Sequence, residues 1–409
     1  MGGVATIAGS TMAAWTGLRR RLDGWRYPSQ ETRDSRLDLL RGYMMVVIAI
    51  NHMGWDSWLY VFTGRDQFVV SGAEGFIFLS GLVMGMVYQG ILHKKGLKAA
   101  LVKLIHRIAL LYLLHTALTL AFADASYLLG ASWAPPIDDR VAYAAGVLTL
   151  EQTYHFTDIL YLYMMLVLLA APALVLAFRG LSLLALLASW VLWGAFQFSP
   201  EYWASLTANH GFPVAAWQLF FVTGVVIGYH RRQLWSWMHH LPVRVVLPLL
   251  VLFSAVVVEQ HLSGGTLIPI EEWTGVDYYQ FTNKWQVRPG RLIAAAVLFP
   301  TVYLLVTLAW KPLQRVLGWL LLPLGRNSLF AYSAHLFAIL LTTVVFPLIP
   351  GCDRSDPSIN SLVQLTGVML IWASVQGRYM ASRVLQQLWT LRQRQLEAGS
   401  LGAKRGDRG

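Results

Sequence analysis

Hydrophobic residues in this chain fall into long runs separated by short polar stretches. Ten such runs stand out, at approximately 39–60, 69–91, 101–123, 159–178, 181–198, 212–230, 241–258, 291–310, 325–349 and 359–382. A helix rises 1.5 Å per residue, so about 20 apolar residues cross a hydrocarbon layer roughly 30 Å thick. The pattern predicts an all-α integral membrane protein with about ten transmembrane helices. VAYAAGVLTL (141–150) is too short to cross and is expected to be re-entrant or interfacial. The chain then divides into an N-terminal segment (1–38), a membrane domain (39–382) and a polar tail (383–409) expected to be disordered.

The polar stretches test this count, because Lys and Arg favour the cytoplasmic side. Arg19, Arg20, Arg21, Arg33 and Arg36 precede the first run. Lys94, Lys95 and Lys98 follow the second, Arg231 and Arg232 the sixth, Lys311 and Arg315 the eighth, and Arg392 and Arg394 the tenth. All fall on one side if the N-terminus is inside. Asp124, Glu151, Glu201, Glu271, Glu272 and Asp353 collect on the other. A wrong count would mix the two sets, so both termini are expected to be cytoplasmic.

Composition agrees: 56% of residues are hydrophobic and 13% charged, about half the charge of a soluble domain. The net charge of +11 does not point to nucleic acid, because the basic residues sit between the apolar runs rather than on one surface. A single cysteine, Cys352, excludes an intrachain disulfide. The first 38 residues contain no apolar stretch long enough for a cleavable signal peptide, so the first run is expected to act as an uncleaved anchor.

Ionisable residues inside membrane spans are costly, and each is a functional candidate. Arg41 opens the first run and His52 follows eleven residues later. That places His52 about 16 Å deeper and near the same helix face. Glu74 in SGAEGFIFLSG falls at a similar depth on the returning second span. A carboxylate there can fix the tautomer of His52 and raise its basicity. Gly72, Gly75, Gly81 and Gly85, with Ser71 and Ser80, form a small-residue face that admits a neighbouring helix or a slender ligand. The outer halves of the spans therefore offer His52, Glu74, His115, Asp158 and His335, and the inner ends offer Arg41, Lys103, Arg107 and Arg326. Such a division suits a two-sided reaction. A phosphate-bearing donor docks on the inner cations, and a hydroxyl acceptor meets a histidine base from outside. Asn51, Ser80 and Asn327 are candidate oxyanion donors. No metal-ligand pattern is present.

These residues resemble a known family. Arg41–ten residues–His52, EGFIFLSG (74–81) and LGRNSLFAYSAH (324–335) are similar to motifs of the membrane acyltransferase-3 superfamily. RDSRLDLLRG (33–42) together with SGAEGFIFLSGL (71–82) most resembles its OpgC family, associated with succinylation of osmoregulated periplasmic glucans. The resemblance runs from about residue 33 to 382. It implies a bacterial inner-membrane enzyme with acyl-CoA, most readily succinyl-CoA, as cytoplasmic donor substrate and no tightly bound cofactor. It implies a periplasmic glucan hydroxyl as acceptor, His52 as general base and Arg41 as its functional companion. Lys103, His106 and Arg107 stand where the superfamily has a paired-arginine motif. If the acyl group is succinyl, its free carboxylate needs a cation, and Arg291 or Arg288 is placed to supply one. Two alternatives share this pattern: an acetyltransferase acting on another cell-surface glycan, and a proton-coupled sugar or glycolipid transporter. Nothing in the sequence sets the oligomeric state.

Overall fold

The computed structural model describes residues 26–28, 33–134, 137–205, 211–238, 242–264 and 267–406. Most of the N-terminal segment, including Arg19, Arg20 and Arg21, lies outside the described residues. The described residues form helices joined by turns, with no strand among them. The principal helices are α1 (Ser35–Met53), α2 (Gly72–Leu128), α3 (Arg140–Leu148), α4 (Asp158–Phe178), α5 (Ser182–Phe198), α6 (Val214–Tyr229), α7 (Val243–Ser263), α8 (Pro289–Leu308), α9 (Trp310–Arg326), α10 (Ser328–Leu340) and α11 (Pro357–Gly406).

Each of the ten apolar runs coincides with a helix or a helical arm. Among the described residues, six helices are long and apolar enough to cross a membrane, including α2, α4, α8 and the stretch Ser328–Leu348 that begins with α10. The apolar helices α5 and α6 are shorter. The 57-residue α2 is two runs in one, because Gly96 leaves the helical region (φ 78°, ψ 175°) beside Lys94, Lys95 and Lys98. A positive φ of that size favours glycine, which has no Cβ to clash. The short segment expected near 141–150 is the nine-residue α3, whose first backbone amides are capped by Asp139 Oδ1.

Three boundaries differ from the hydropathy pattern. The first run was expected to extend to residue 60, but α1 ends at Met53 because Gly54 turns the chain with φ +70°. The polar stretch before the ninth run is the helix α9, in which Lys311, Gln314 and Arg315 interrupt an otherwise apolar pattern. The tail expected to be disordered continues α11 as far as Gly406, in keeping with its Leu, Gln, Arg, Glu and Ala content.

Helix α1 lies at the centre. Gly42 abuts the carbonyl of Leu321 on α9, and Gly325 abuts that of Asp38 on α1; a Cβ at either would collide with backbone. The small-residue face of α2 meets a matching one on α6. Gly81 and Gly85 sit against the carbonyls of Phe221 and Val225, while Gly224 and Gly228 sit against those of Phe78 and Leu82. Two four-residue glycine spacings thus interlock and let the helix backbones touch, as close packing in lipid requires. Of the two uses the sequence allows for this face, the structure assigns helix packing to Gly81 and Gly85.

The RDSRLD string at the start of α1 is an ion lattice. Asp34 receives Arg36 Nη2 and Arg231 Nη2, each at 2.8 Å. The Arg36 guanidinium lies between the rings of Tyr27 and Tyr303, 4.2 and 4.5 Å from their centroids. Asp38 receives Arg33 at 2.6 Å and Arg326 at 3.6 Å. This lattice ties α1 to the polar segment after α6, to α8 and to the end of α9. On the outside, large apolar side chains such as Leu183, Val191 and Phe198 are exposed, as a lipid-facing surface requires.

Candidate active site

His52 lies in the last turn of α1 and lines a cavity of about 310 Å³. Its Nδ1 is 3.2 Å from Nε2 of His335 on α10. Nδ1 of His335 donates to the carbonyl of Tyr332 one turn earlier. That bond fixes the proton order. With both rings neutral, His335 carries hydrogen on Nδ1, so its Nε2 can only accept. His52 must then donate from Nδ1, which leaves a lone pair on its Nε2. A general base needs that arrangement. Phe156 packs against His52 with ring centroids 4.9 Å apart and holds a left-handed backbone (φ 67°). Its carbonyl accepts from Tyr332 Oη. Non-glycine residues in that region carry strain and concentrate at functional sites.

The rest of the cavity wall comes from elements far apart in the chain. Asp158 opens α4, and its Oδ1 accepts from the Ile159 amide at 2.8 Å. Lys284 and Trp285 reach in from the segment before α8, with Lys284 Nζ 4.9 Å from the Trp285 ring centre. The Lys284 charge acts on His52, Glu74 and Asp158. His155 also lines the cavity, and burial lowers its pKa below the ordinary histidine value. Asn51 reaches the cavity too, but its Oδ1 accepts from Thr63 Oγ1 at 2.7 Å and its amide points to the Thr63 carbonyl at 3.4 Å.

The Glu74 carboxylate pairs with Arg291, and the ring that meets His52 Nδ1 is that of His335. The Glu74 side chain is fully buried, and its Oε1 receives Arg291 Nε at 2.5 Å. Its Oε2 accepts from the Ser71 amide at 2.9 Å and from Ser71 Oγ, while Ser71 Oγ caps α2 in return. This is a capping box closed by a buried ion pair. Arg291 is thereby engaged, and also reaches the carbonyls of Thr282 and Phe68 at 3.3 and 3.4 Å. Arg291, expected to meet a substrate carboxylate, is in this structure ion-paired with Glu74. Among the described residues, Lys284 is the cation lining the cavity.

The inner cations are only partly brought together. Arg41 Nη2 donates to Ser328 Oγ at 2.5 Å, and its Nε is buried without a partner. Arg107 Nη2 lies 3.3 Å from Tyr163 Oη, and its charge acts on Arg41. Ser80 Oγ is buried without a partner. A void of about 20 Å³ bordered by Phe76, Tyr163, Ser328 and Tyr332 lies between these groups and the cavity, with Ile159 on both walls. Arg326 pairs with Asp38, Lys103 is exposed, and Asn327 bonds to Tyr379 Oη at 2.7 Å. His115 is buried 3.4 Å from Thr119 Oγ1 and does not line the cavity. Arg41 and His52, eleven residues apart on α1, thus meet Ser328 and His335, seven apart on α10. The longer reach of arginine takes up the difference of about 6 Å along the parallel helices.

Sequence reasoning missed Lys284 and Phe156. HFTD (155–158) marked the right turn through Asp158, but Lys284 lies in a polar stretch with no motif to single it out.

Residues 33–382 match the family described as OpgC protein. The chain belongs to that family. At family level this makes it a glucan-modifying acyltransferase carried by apolar, membrane-type helices. No match to a curated protein or to a solved structure was found.

Proposed function

We propose that this OpgC-family protein is a ten-span inner-membrane enzyme with both termini cytoplasmic, and that it moves a succinyl group from cytoplasmic succinyl-CoA to a hydroxyl of a periplasmic glucan. His52 Nε2 takes the hydroxyl proton as that oxygen attacks the thioester carbonyl. The tetrahedral adduct then expels the CoA sulfur, which recovers the proton from His52. His335 Nε2 accepts the Nδ1 hydrogen throughout and steadies the transient imidazolium. General-base assistance of this kind is worth roughly 10²–10⁴-fold in rate, and a thioester is activated enough to need no acyl-enzyme.

The observation that carries the reading is the Tyr332–His335–His52 hydrogen-bond chain ending on the wall of a cavity. At about 310 Å³ the cavity is at the small end of ligand pockets, roughly 300–1,000 Å³. It suits one sugar unit and a short acyl chain, so the glucan presents one unit at a time. Phe156, Phe212 and Trp285 give that unit aromatic walls, and Lys284 gives the succinyl carboxylate a counter-charge. Arg41 and Arg107 face the donor's phosphates, and the narrow void beside Ser328 and Tyr332 marks the route of its thioester arm.

The test is direct. Purified protein in nanodiscs is given succinyl-CoA or acetyl-CoA with a β-glucan, and free CoA and acylated glucan are measured. Succinyl transfer that falls by 10²-fold or more in His52→Ala supports the reading. Undiminished turnover in His52→Ala removes His52 as the base.

A further inference from the structure

The end of α1 that carries His52 is held by a buried arginine that no catalytic motif includes. Arg354, in the outer segment CDRSDPSIN, is 4% exposed. Its Nη2 donates to the Met53 carbonyl at 2.6 Å, one residue beyond His52. Its Nη1 donates to the Thr342 carbonyl at 3.1 Å, and its Nε to Asn360 Oδ1 at 2.9 Å. Each of these acceptors is a carbonyl or amide oxygen. Thr342 lies in a π-helical turn, Leu341–Val345, that continues directly from α10, the helix of His335. Such turns recur at functional sites.

One planar fork therefore spans three chain segments: the terminus of α1, the continuation of α10 and the first turns of α11. The last carbonyls of a helix lack intrahelical donors, and a cation at that end is favoured by the helix dipole. Neighbours on α11 complete the clamp. Asn360 Nδ2 donates to the Gly54 and Asp56 carbonyls at 3.0 and 2.9 Å, and Gln364 Nε2 donates to the Gly54 carbonyl at 2.9 Å. Gly367 lets α11 approach so closely that a Cβ there would press on Met53 and Thr342.

We propose that Arg354 is a positioning residue: it locks the helix of His52 to the helix of His335 and so sets the His52–His335 contact. The proposal rests on the reading of His52 as the base. Loss of the fork frees the two helix ends to separate. An imidazole pair at 3.2 Å has little slack, since hydrogen bonds lengthened to about 3.6 Å are no longer bonds. His52 then has no acceptor for its Nδ1 hydrogen and populates both tautomers, one of which cannot act as base through Nε2.

The test uses the full chain in nanodiscs with ¹⁵N-labelled histidine, comparing wild type, Arg354→Gln and Arg354→Lys. Lysine keeps the charge but cannot make the fork, and it serves as the informative variant if glutamine prevents folding. The expected result is a single Nδ1–H tautomer for His52 in the wild type and a mixture of tautomers in either variant. Turnover falls about tenfold or more in the same variants, while the KM values for acyl-CoA and glucan stay within about twofold of wild type. A purely structural arginine would lower the amount of folded protein without moving the tautomer ratio or splitting kcat from KM. An unchanged His52 tautomer in a folded variant overturns the proposal. The tautomer measurement needs no turnover, so it stands apart from the test of acyl transfer: inactive wild type with an Arg354-dependent tautomer would count against the succinyltransferase reading alone.

Discussion

Replacing Glu74 with alanine tests whether its carboxylate is architecture or proton-transfer machinery. Its side chain is fully buried, and the Arg291 side chain 2.5 Å away is 4% exposed. Removing one partner of a buried pair strands the other charge, at about 3–5 kcal/mol. The same carboxylate accepts from the Ser71 amide at the start of α2, and losing a helix N-terminal cap costs about 1 kcal/mol more. Glu74→Ala should therefore lower stability by roughly 4–6 kcal/mol, and Arg291→Met by roughly 3–5 kcal/mol. Combining Glu74→Ala with Arg291→Met removes both charges, and losing both partners of a buried pair is often close to neutral apart from the lost cap. The double variant should sit within about 2 kcal/mol of wild type, which requires a coupling of several kcal/mol. SDS titration from mixed micelles, followed by tryptophan fluorescence, reads these differences. A loss of about 3–5 kcal/mol moves the unfolding equilibrium by about 10²–10³·⁵-fold. The double variant should also keep measurable acyl transfer. Additive, sub-kilocalorie effects, or a folded double variant with no turnover, would refute the assignment and return Glu74 to the chemistry.

Lys284→Met should lower kcat/KM for succinyl-CoA by about 10–10²-fold, the worth of a hydrogen bond to a charged group, and leave acetyl-CoA nearly unaffected. Equal losses with both donors would show that Lys284 does not read the acyl carboxylate. Gly85→Leu should destabilise the α2–α6 pair by about 1–3 kcal/mol or more, because its Cβ would meet the Val225 carbonyl; Gly90→Leu, with open space at that position, is the neutral control in thermal-shift measurements. Asp34 gives a pH dependence. Burial pushes its carboxyl up, but Arg36, Arg231 and Tyr303 outweigh this and hold it below the ordinary value. Its contribution is therefore complete above the unfolded value of about 3.9 and is lost as pH falls through the folded value. Asp34→Asn should be less stable at neutral pH and lose less stability on acidification, as thermal-shift midpoints from neutral to acid pH would show.

Several of these residues were visible in the sequence and others were not, for a consistent reason. Arg41, His52 and Glu74 stood out because a charge inside an apolar run is locally conspicuous. Which residues they pair with did not. His335 lies 283 residues from His52, Arg291 lies 217 from Glu74, and Thr342 and Arg354 belong to no polar motif inside a span. Glu74 was assigned to His52 on depth alone, which the sequence supplies, while its pairing with Arg291 depends on which helices are neighbours.

The sequence by itself determined the class of the protein, the position of nearly every helix and the face shared by Arg41 and His52. These follow from hydropathy and the 3.6-residue period, which act within one segment. Only the tertiary structure decided that Glu74 closes a cap, that the glycines of α2 seat a helix, that Lys284 enters the cavity and that His52 rests on His335. The order of helices around a membrane bundle leaves little trace in the hydropathy pattern, because lipid and protein interior are both apolar and each face of a span is greasy. What selects neighbours is the fit of small residues, buried polar groups and helix-end carbonyls across segments hundreds of residues apart, and those contacts exist only once the chain has packed.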